Sequence, residues 1–315
     1  MVLLKPNESY AFYRIPGLVA TTKGSLLAYC ECRSELSDWA KIDIKVYRSI
    51  DGGESWENTH TVCGCGNTLN NPVMIVDGEN IHFIYCKNYR QIYYAKSTDD
   101  GLSFSTARSI SSVLNDWGEF YNAVAVGPGH AVEVNGKLIA PIWFSQNTTN
   151  KFAHKPSKIA TIYSLDKGEN WRLGEIIDSD FPNSSESSLA VMPSGKIALA
   201  IRHEDKERKV AVAFSDNGIN GWSKPRLTNI ADPICQGSLL HYNDAVYHIN
   251  CSHPTERKNL TVKMVNEDFV AVDEITIDEL GGYADMAIID DTLYILYERD
   301  VFNSGEIHFT KMKTL

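Results

Sequence analysis

Ser49-Ile50-Asp51-Gly52-Gly53-Glu54-Ser55-Trp56 is the stretch on which the fold turns. It reads as a hairpin turn. The Asp carboxylate accepts hydrogen bonds from the backbone of its own turn, glycine supplies φ > 0, and the closing aromatic packs back between strands. The same solution returns at Ser97-Thr98-Asp99-Asp100-Gly101-Leu102-Ser103-Phe104 and at Ser164-Leu165-Asp166-Lys167-Gly168-Glu169-Asn170-Trp171. A degenerate fourth copy, Ser215-Asp216-Asn217-Gly218 with Trp222 after it, has lost one residue and gained another. Asn266-Glu267-Asp268 reads as a last, worn copy. The Asp positions 51, 99, 166, 216 and 268 stand 48, 67, 50 and 52 residues apart. Periods of roughly 50 residues are those of four-stranded propeller blades.

The segments between the turns agree. Ile42, Ile44 and Val46 alternate with Asp43 and Lys45, as a half-buried strand should. Runs 197–201, 210–214, 246–249 and 293–297 are short, β-rich and bounded by turn residues. No capped segment of period 3.6 stands out, and no Pro/Gly/Ser-rich linker divides the chain. The expectation is an all-β, six-bladed β-propeller forming one domain over residues 1–315.

The net charge of −10 argues against nucleic acid or an anionic membrane surface as the main partner. It leaves an anionic small ligand open, because a local Arg cluster overrides the global sign. No apolar run approaches the roughly 18 residues of a membrane span. Met1 to Lys5 lack the apolar stretch of a signal peptide, which implies a cytoplasmic protein, or a secreted or periplasmic one whose signal has been removed. Seven Cys is an odd count, spread along the chain, and does not suggest a disulfide framework. Cys30/Cys32 and Cys63/Cys65 have C-x-C spacing without a matching His, and read as packed or free thiols rather than metal ligands.

Against this background three arginines are unusual. Arg14 lies in Tyr13-Arg14-Ile15-Pro16, an awkward place for a permanent charge unless a carboxylate holds it. Arg202 ends the apolar run 197–201, and Arg257 follows Ser252-His253-Pro254-Thr255-Glu256. Taken singly, each is an ordinary structural Arg.

Together they resemble the exo-sialidase (neuraminidase) family over nearly the whole chain. Tyr13 to Pro16 is similar to its [FY]RIP motif, and the repeated turns to its Asp boxes. Glu31-Cys32-Arg33 with Asp38 five residues after the Arg, Val126-Gly127-Pro128-Gly129-His130, and Gly282-Tyr283-Ala284-Asp285-Met286 followed by Leu296-Tyr297-Glu298 resemble further family segments. The resemblance implies that Arg14, Arg202 and Arg257 surround the carboxylate of a sialic acid, with Glu298 holding Arg14 in place. It implies Tyr283 as nucleophile, Glu186 as its base and Asp38 as acid/base catalyst, with Arg33 near the sugar's C4 hydroxyl. A Tyr nucleophile makes electrostatic sense, since the anomeric carbon bears a carboxylate that would repel an anionic Asp or Glu.

Two departures bear on specificity. Asn71-Pro72 stands where many relatives have Asp-Pro on the C4/N-acyl side, so a charge is missing there. Trp143 stands where relatives often place Tyr, and reads as a core aromatic or as a wall on the glycerol side. The implied activity is a retaining exo-α-sialidase acting on sialylated glycans (glycoproteins, glycolipids or oligosaccharides) without metal or cofactor. A trans-sialidase, including an intramolecular one, and a sialic-acid-binding propeller without turnover remain open beside it.

Overall fold

Ile42–Ser49 alternates buried and half-buried side chains, with Ile42, Ile44 and Val46 inward, as its sequence pattern requires. In the computed structural model, which describes residues 1–315 apart from the side chain of Asp116, it is the third strand of the first of six antiparallel sheets. That sheet runs Phe12–Ala20, Leu26–Arg33, Ile42–Ser49 and Glu57–Val62. Blades 2 to 5 repeat this up-and-down order, starting on Leu69–Asp77, Ala123–Val126, Ser187–Val191 and Ser238–Tyr242. The second strands Leu26–Arg33 and Ile197–Ile201 are buried along their whole length, because a blade packs on each face.

Blade 6 closes the ring. It consists of Ala284–Ile289, Thr292–Arg299 and Glu306–Lys313, and its outer strand, Val2–Leu4, comes from the opposite end of the chain. The Met1 ammonium donates to the Phe309 carbonyl at 2.7 Å, so both ends of the chain are pinned in one sheet. The result is a six-bladed β-propeller with a single short 3₁₀ helix, Ser111–Trp117, among the described residues.

The repeated turns join third to fourth strands. In the first copy Asp51 Oδ1 accepts the Ser49 hydroxyl at 2.7 Å and the Ser55 amide at 3.0 Å, while Ser49 Oγ accepts the Gly53 amide at 2.9 Å. Asp99 and Asp166 do the same for Ser103 and Asn170. A Cβ on Gly53 would stand 2.2 Å from the Phe309 ring, so the glycine is needed for the close approach as well as for its φ of 84°.

Three details differ from the sequence reading. The closing aromatics pack between blades rather than between strands: Trp56 meets Phe309 of blade 6 at 5.2 Å, and Trp171 meets Tyr94 of blade 2 at 5.7 Å. In the fourth copy Asn217, not Asp216, takes the carboxylate's place, its Oδ1 accepting the amides of Ile219 and Asn220 at 2.8 and 3.0 Å. In the worn copy Asn266 does this work for the amides of Asp268 and Val270, at 3.1 and 2.9 Å. The deletion in the fourth copy moved the turn by one residue, and an amide oxygen serves a turn as well as a carboxylate does.

Candidate active site

Strand direction decides which residues meet. Every blade begins its first strand on the same face, and blades 1 to 5 make their repeated turns on the opposite one. Arg14 and Asn71 open first strands, and Glu186 and Tyr283 immediately precede them. Arg202 immediately follows a second strand, Glu298 is near the end of one, Arg257 precedes a third, and Asp38 is in the loop between Arg33 and Ile42. All eight therefore gather on the face away from the repeated turns. Seven of them (Arg14, Asp38, Asn71, Glu186, Arg202, Arg257 and Tyr283) line one cavity of about 470 Å³.

Glu186 and Arg202 meet because a hairpin joins them. Ser187 pairs with Ile201, and the Arg202 amide donates to the Glu186 carbonyl at 2.9 Å, so the sixteen-residue separation is the length of one antiparallel turn-around. Their side chains form an ion pair. Tyr283 arrives from blade 6. Its hydroxyl lies 2.7 and 2.6 Å from the two Glu186 oxygens and accepts from Arg202 Nη1 at 2.6 Å. Arg14 and Arg257 stand over its ring, 5.3 and 5.1 Å from the centroid. Burial pushes the phenol well above its ordinary pKa; Arg202 and Arg257 pull down, and the Glu186 charge pushes up. The resting phenol is neutral, with an acceptor for its proton in contact.

Glu298 anchors the arginines from below. Fully buried, it holds Arg14 Nε at 3.0 Å and Nη2 at 3.3 Å, and accepts the backbone amides of Ile15 at 3.0 Å and Tyr283 at 3.1 Å. A Cβ on Gly282 would fall 2.7 Å from Glu298 Oε2, which explains the glycine before Tyr283. Burial alone would raise this carboxyl's pKa, but Arg14 and Arg257 outweigh it and hold it below the ordinary value. Ile15 sits at φ 55°, rare for a β-branched residue, where the strand register breaks between Arg14 and Gly17. The Glu298–Ile15 hydrogen bond holds that strained turn, and the turn aims Arg14 at the cavity.

The device is used twice. Asn71 also precedes a Pro, sits at φ 54° in a register break, and donates its amide to a buried carboxylate, Glu31, at 2.7 Å. Glu31 in turn holds Arg33 Nε at 2.7 Å. The sequence reading places Arg33 near the sugar's C4 hydroxyl. Its guanidinium is buried and spent on Glu31, on the Leu36 carbonyl at 3.0 Å and on Asp38 at 2.8 Å, and it does not line the cavity. It holds Asp38, and Asn71, which lines the cavity, has a buried Nδ2 without a partner. Burial would raise the Asp38 pKa, but the charges of Arg33 and Arg14 prevail and lower it.

Sequence reasoning missed the cavity's aromatic wall. Trp39, next to Asp38, donates from its indole to the Phe152 carbonyl at 3.1 Å and packs edge-on to the Phe152 ring at 5.0 Å. Tyr89, Trp143 and His154 continue the wall, with Tyr89 and His154 4.5 Å apart. Trp143 is 3% exposed, as a core aromatic would be, yet it lines the cavity. Among the described residues no group of three or more His, Cys, Asp or Glu gathers as metal ligands.

A six-bladed propeller with an arginine-lined cavity at one end of its axis defines the class. Residues 41–279 match the BNR repeat-like domain model, and the chain belongs to that family. Curated relatives include a sialidase of Bacteroides fragilis, 25% identical over 94% of this chain and 61% of its own length, and an exo-alpha-sialidase of Aspergillus fumigatus, 24% identical over 96% of this chain and 82% of its own. The chain thus spans about three-fifths of the Bacteroides relative. Among solved structures, a Hadza microbial sialidase superposes with a TM-score of 0.80 at 24% identity, covering 97% of this chain and 66% of that one.

Proposed function

We propose that the protein is a retaining exo-α-sialidase that releases terminal sialic acid from glycans. The observation that carries this reading is the Tyr283 hydroxyl, held between the carboxylate of Glu186 and the guanidinium of Arg202 on the floor of the cavity. The sialidase relatives support it, and a cavity of about 470 Å³ suits one acidic nine-carbon sugar. Arg14, Arg202 and Arg257 bind the sugar's carboxylate, whose charge also relieves the repulsion among three neighbouring cations.

The chemistry then takes two displacements. Glu186 accepts the phenolic proton as Tyr283 Oη bonds to the anomeric carbon, and Asp38 protonates the departing glycosidic oxygen. In the second step Asp38 takes a proton from water, whose oxygen attacks the anomeric carbon, and Tyr283 leaves and recovers its proton from Glu186. Neutral Tyr283 approaches a carbon that bears a carboxylate without the repulsion an Asp or Glu would meet.

The test is turnover of a 4-methylumbelliferyl sialoside, together with trapping by a fluorinated sialosyl donor. Fluorophore release and an adduct mapped to Tyr283 are expected. A protein that binds sialic acid but releases nothing is a lectin, and an adduct on any other residue removes Tyr283 as nucleophile. NMR of the first-formed product distinguishes free sialic acid from a transferred or anhydro sugar.

A further inference from the structure

Cys63-Gly64-Cys65 lies on the same face as the cavity but outside it, directly after the outer strand Glu57–Val62 of blade 1. These two cysteines are exposed, whereas the other five are buried. Their sulfurs are 2.8 Å apart. The turn that brings them together is built for it. A Cβ on Gly64 would fall 2.3 Å from the Ile42 carbonyl oxygen and 2.6 Å from that of Asn67, so only glycine fits between the thiols. The Gly64 amide donates to Asp43 Oδ1 at 2.7 Å, and its carbonyl accepts both the amide and the Nδ2 of Asn67 at 2.9 Å. Cys65 turns back at φ 49°.

The two thiols are not equivalent. The Cys65 amide donates to Cys63 Sγ at 3.1 Å. The hydrogen bond with Cys63 raises the Cys65 pKa, and repulsion between two like charges adds to it. One attacking thiolate with a second thiol in contact is the arrangement that thiol–disulfide exchange requires.

We propose that Cys63 and Cys65 form an exchange site for small-molecule disulfides, independent of the glycosidase reading. The Cys63 thiolate attacks one sulfur of R–S–S–R. That bond breaks, and the first R–S⁻ leaves to take a proton from solvent, giving a mixed disulfide. Cys65 then loses its proton to solvent and attacks Cys63 Sγ, expelling the second R–S⁻ and closing the Cys63–Cys65 bond. The protein dithiol is oxidised by two electrons and the external disulfide is reduced to two thiols. The second step is intramolecular, between sulfurs already in contact, so it outpaces attack by free thiol in solution.

The experiment treats the folded protein with oxidised glutathione near neutral pH and follows intact mass and peptide maps. Wild type should lose two hydrogens, with the bond mapped between Cys63 and Cys65. Cys65→Ser should instead stop at a glutathione adduct on Cys63. A persistent adduct on wild type, thiols that stay free, or a bond mapped to any other pair would overturn the proposal. Because the wild-type map alone decides, the result stands whatever the variant's stability.

Discussion

Tyr283 and Glu186 are 97 residues apart and come from blades 6 and 4, yet the phenol oxygen rests within 2.7 Å of both carboxylate oxygens. Neither residue needs this contact for its own strand. Tyr283 is fixed by its amide on Glu298, and Glu186 by a hairpin that ends in Arg202. Two independent anchors converge on this one short contact, the one through which the proposed proton transfer would run.

Replacing that hydroxyl therefore separates chemistry from packing. In Tyr283→Phe the ring keeps its place under Arg14 and Arg257, and Glu186 keeps Arg202 as partner. The melting temperature should stay close to wild type while kcat falls on the order of 10³-fold or more. A variant that keeps a tenth of its activity would remove Tyr283 from the bond-making step.

The arginines predict unequal costs. Arg14 is held by Glu298 at 3.0 Å, whereas Arg257 comes no nearer than 4.0 Å to that carboxylate and has a buried Nη1 without a partner. Arg14→Met leaves Glu298 short of its main charge partner and should cost about 3–5 kcal/mol in urea unfolding. Arg257→Met should cost clearly less, because its attraction to Glu298 across 4.0 Å is partly offset by repulsion from Arg14. It should still lower kcat/KM about 10- to 100-fold through the lost contact to the substrate carboxylate. Equal destabilisation by both would contradict this division.

How much of this was legible in the sequence depends on range. The turns at Asp51, Asp99 and Asp166 are local hydrogen-bond patterns, so four residues sufficed to read them. Glu186 and Arg202 were within reach too, because a single hairpin spans them. The partners of Arg33 were not legible, because its direction is set by Glu31 on its own strand, two residues away, and the sequence does not say whether a cation points at a ligand or at a neighbour. The Trp39–Phe152 wall joins loops of blades 1 and 3, 113 residues apart, and no periodicity encodes that meeting. Asn217 was missed because a deletion shifted the turn while its chemistry stayed the same.

Acid should loosen the fold through Glu298. Its folded pKa lies below the ordinary value of 4.5, held down by Arg14 and Arg257 against the effect of burial. A depressed carboxyl gives stability that is present above the unfolded pKa and is lost as pH falls through the folded one. Unfolding free energy should thus decline below about pH 4.5, and Glu298→Gln should be less stable at neutral pH but show a shallower decline. Urea titrations at several pH values check this, and parallel declines would show that other carboxylates carry the acid sensitivity.

Asp38 faces the reverse demand, since a group that must donate a proton is held by Arg33 at 2.8 Å and approached by Arg14 at 3.8 Å. Burial favours its neutral form, but the two arginines prevail and lower its pKa, so the free protein carries a carboxylate at neutrality. The protonated fraction then rises as pH falls, and kcat/KM for a sialoside with a sugar leaving group should climb from neutrality toward acid. A bound substrate carboxylate draws on the Arg14 charge and weakens its pull on Asp38. The kcat profile should therefore break at a higher pH than the kcat/KM profile. An aryl leaving group needs little protonation, so Asp38→Ala should lose about 10²- to 10⁴-fold on sialyllactose and far less on the 4-methylumbelliferyl substrate. Equal losses on both substrates would place Asp38 in binding rather than in proton donation, because a binding contact does not depend on which bond is about to break.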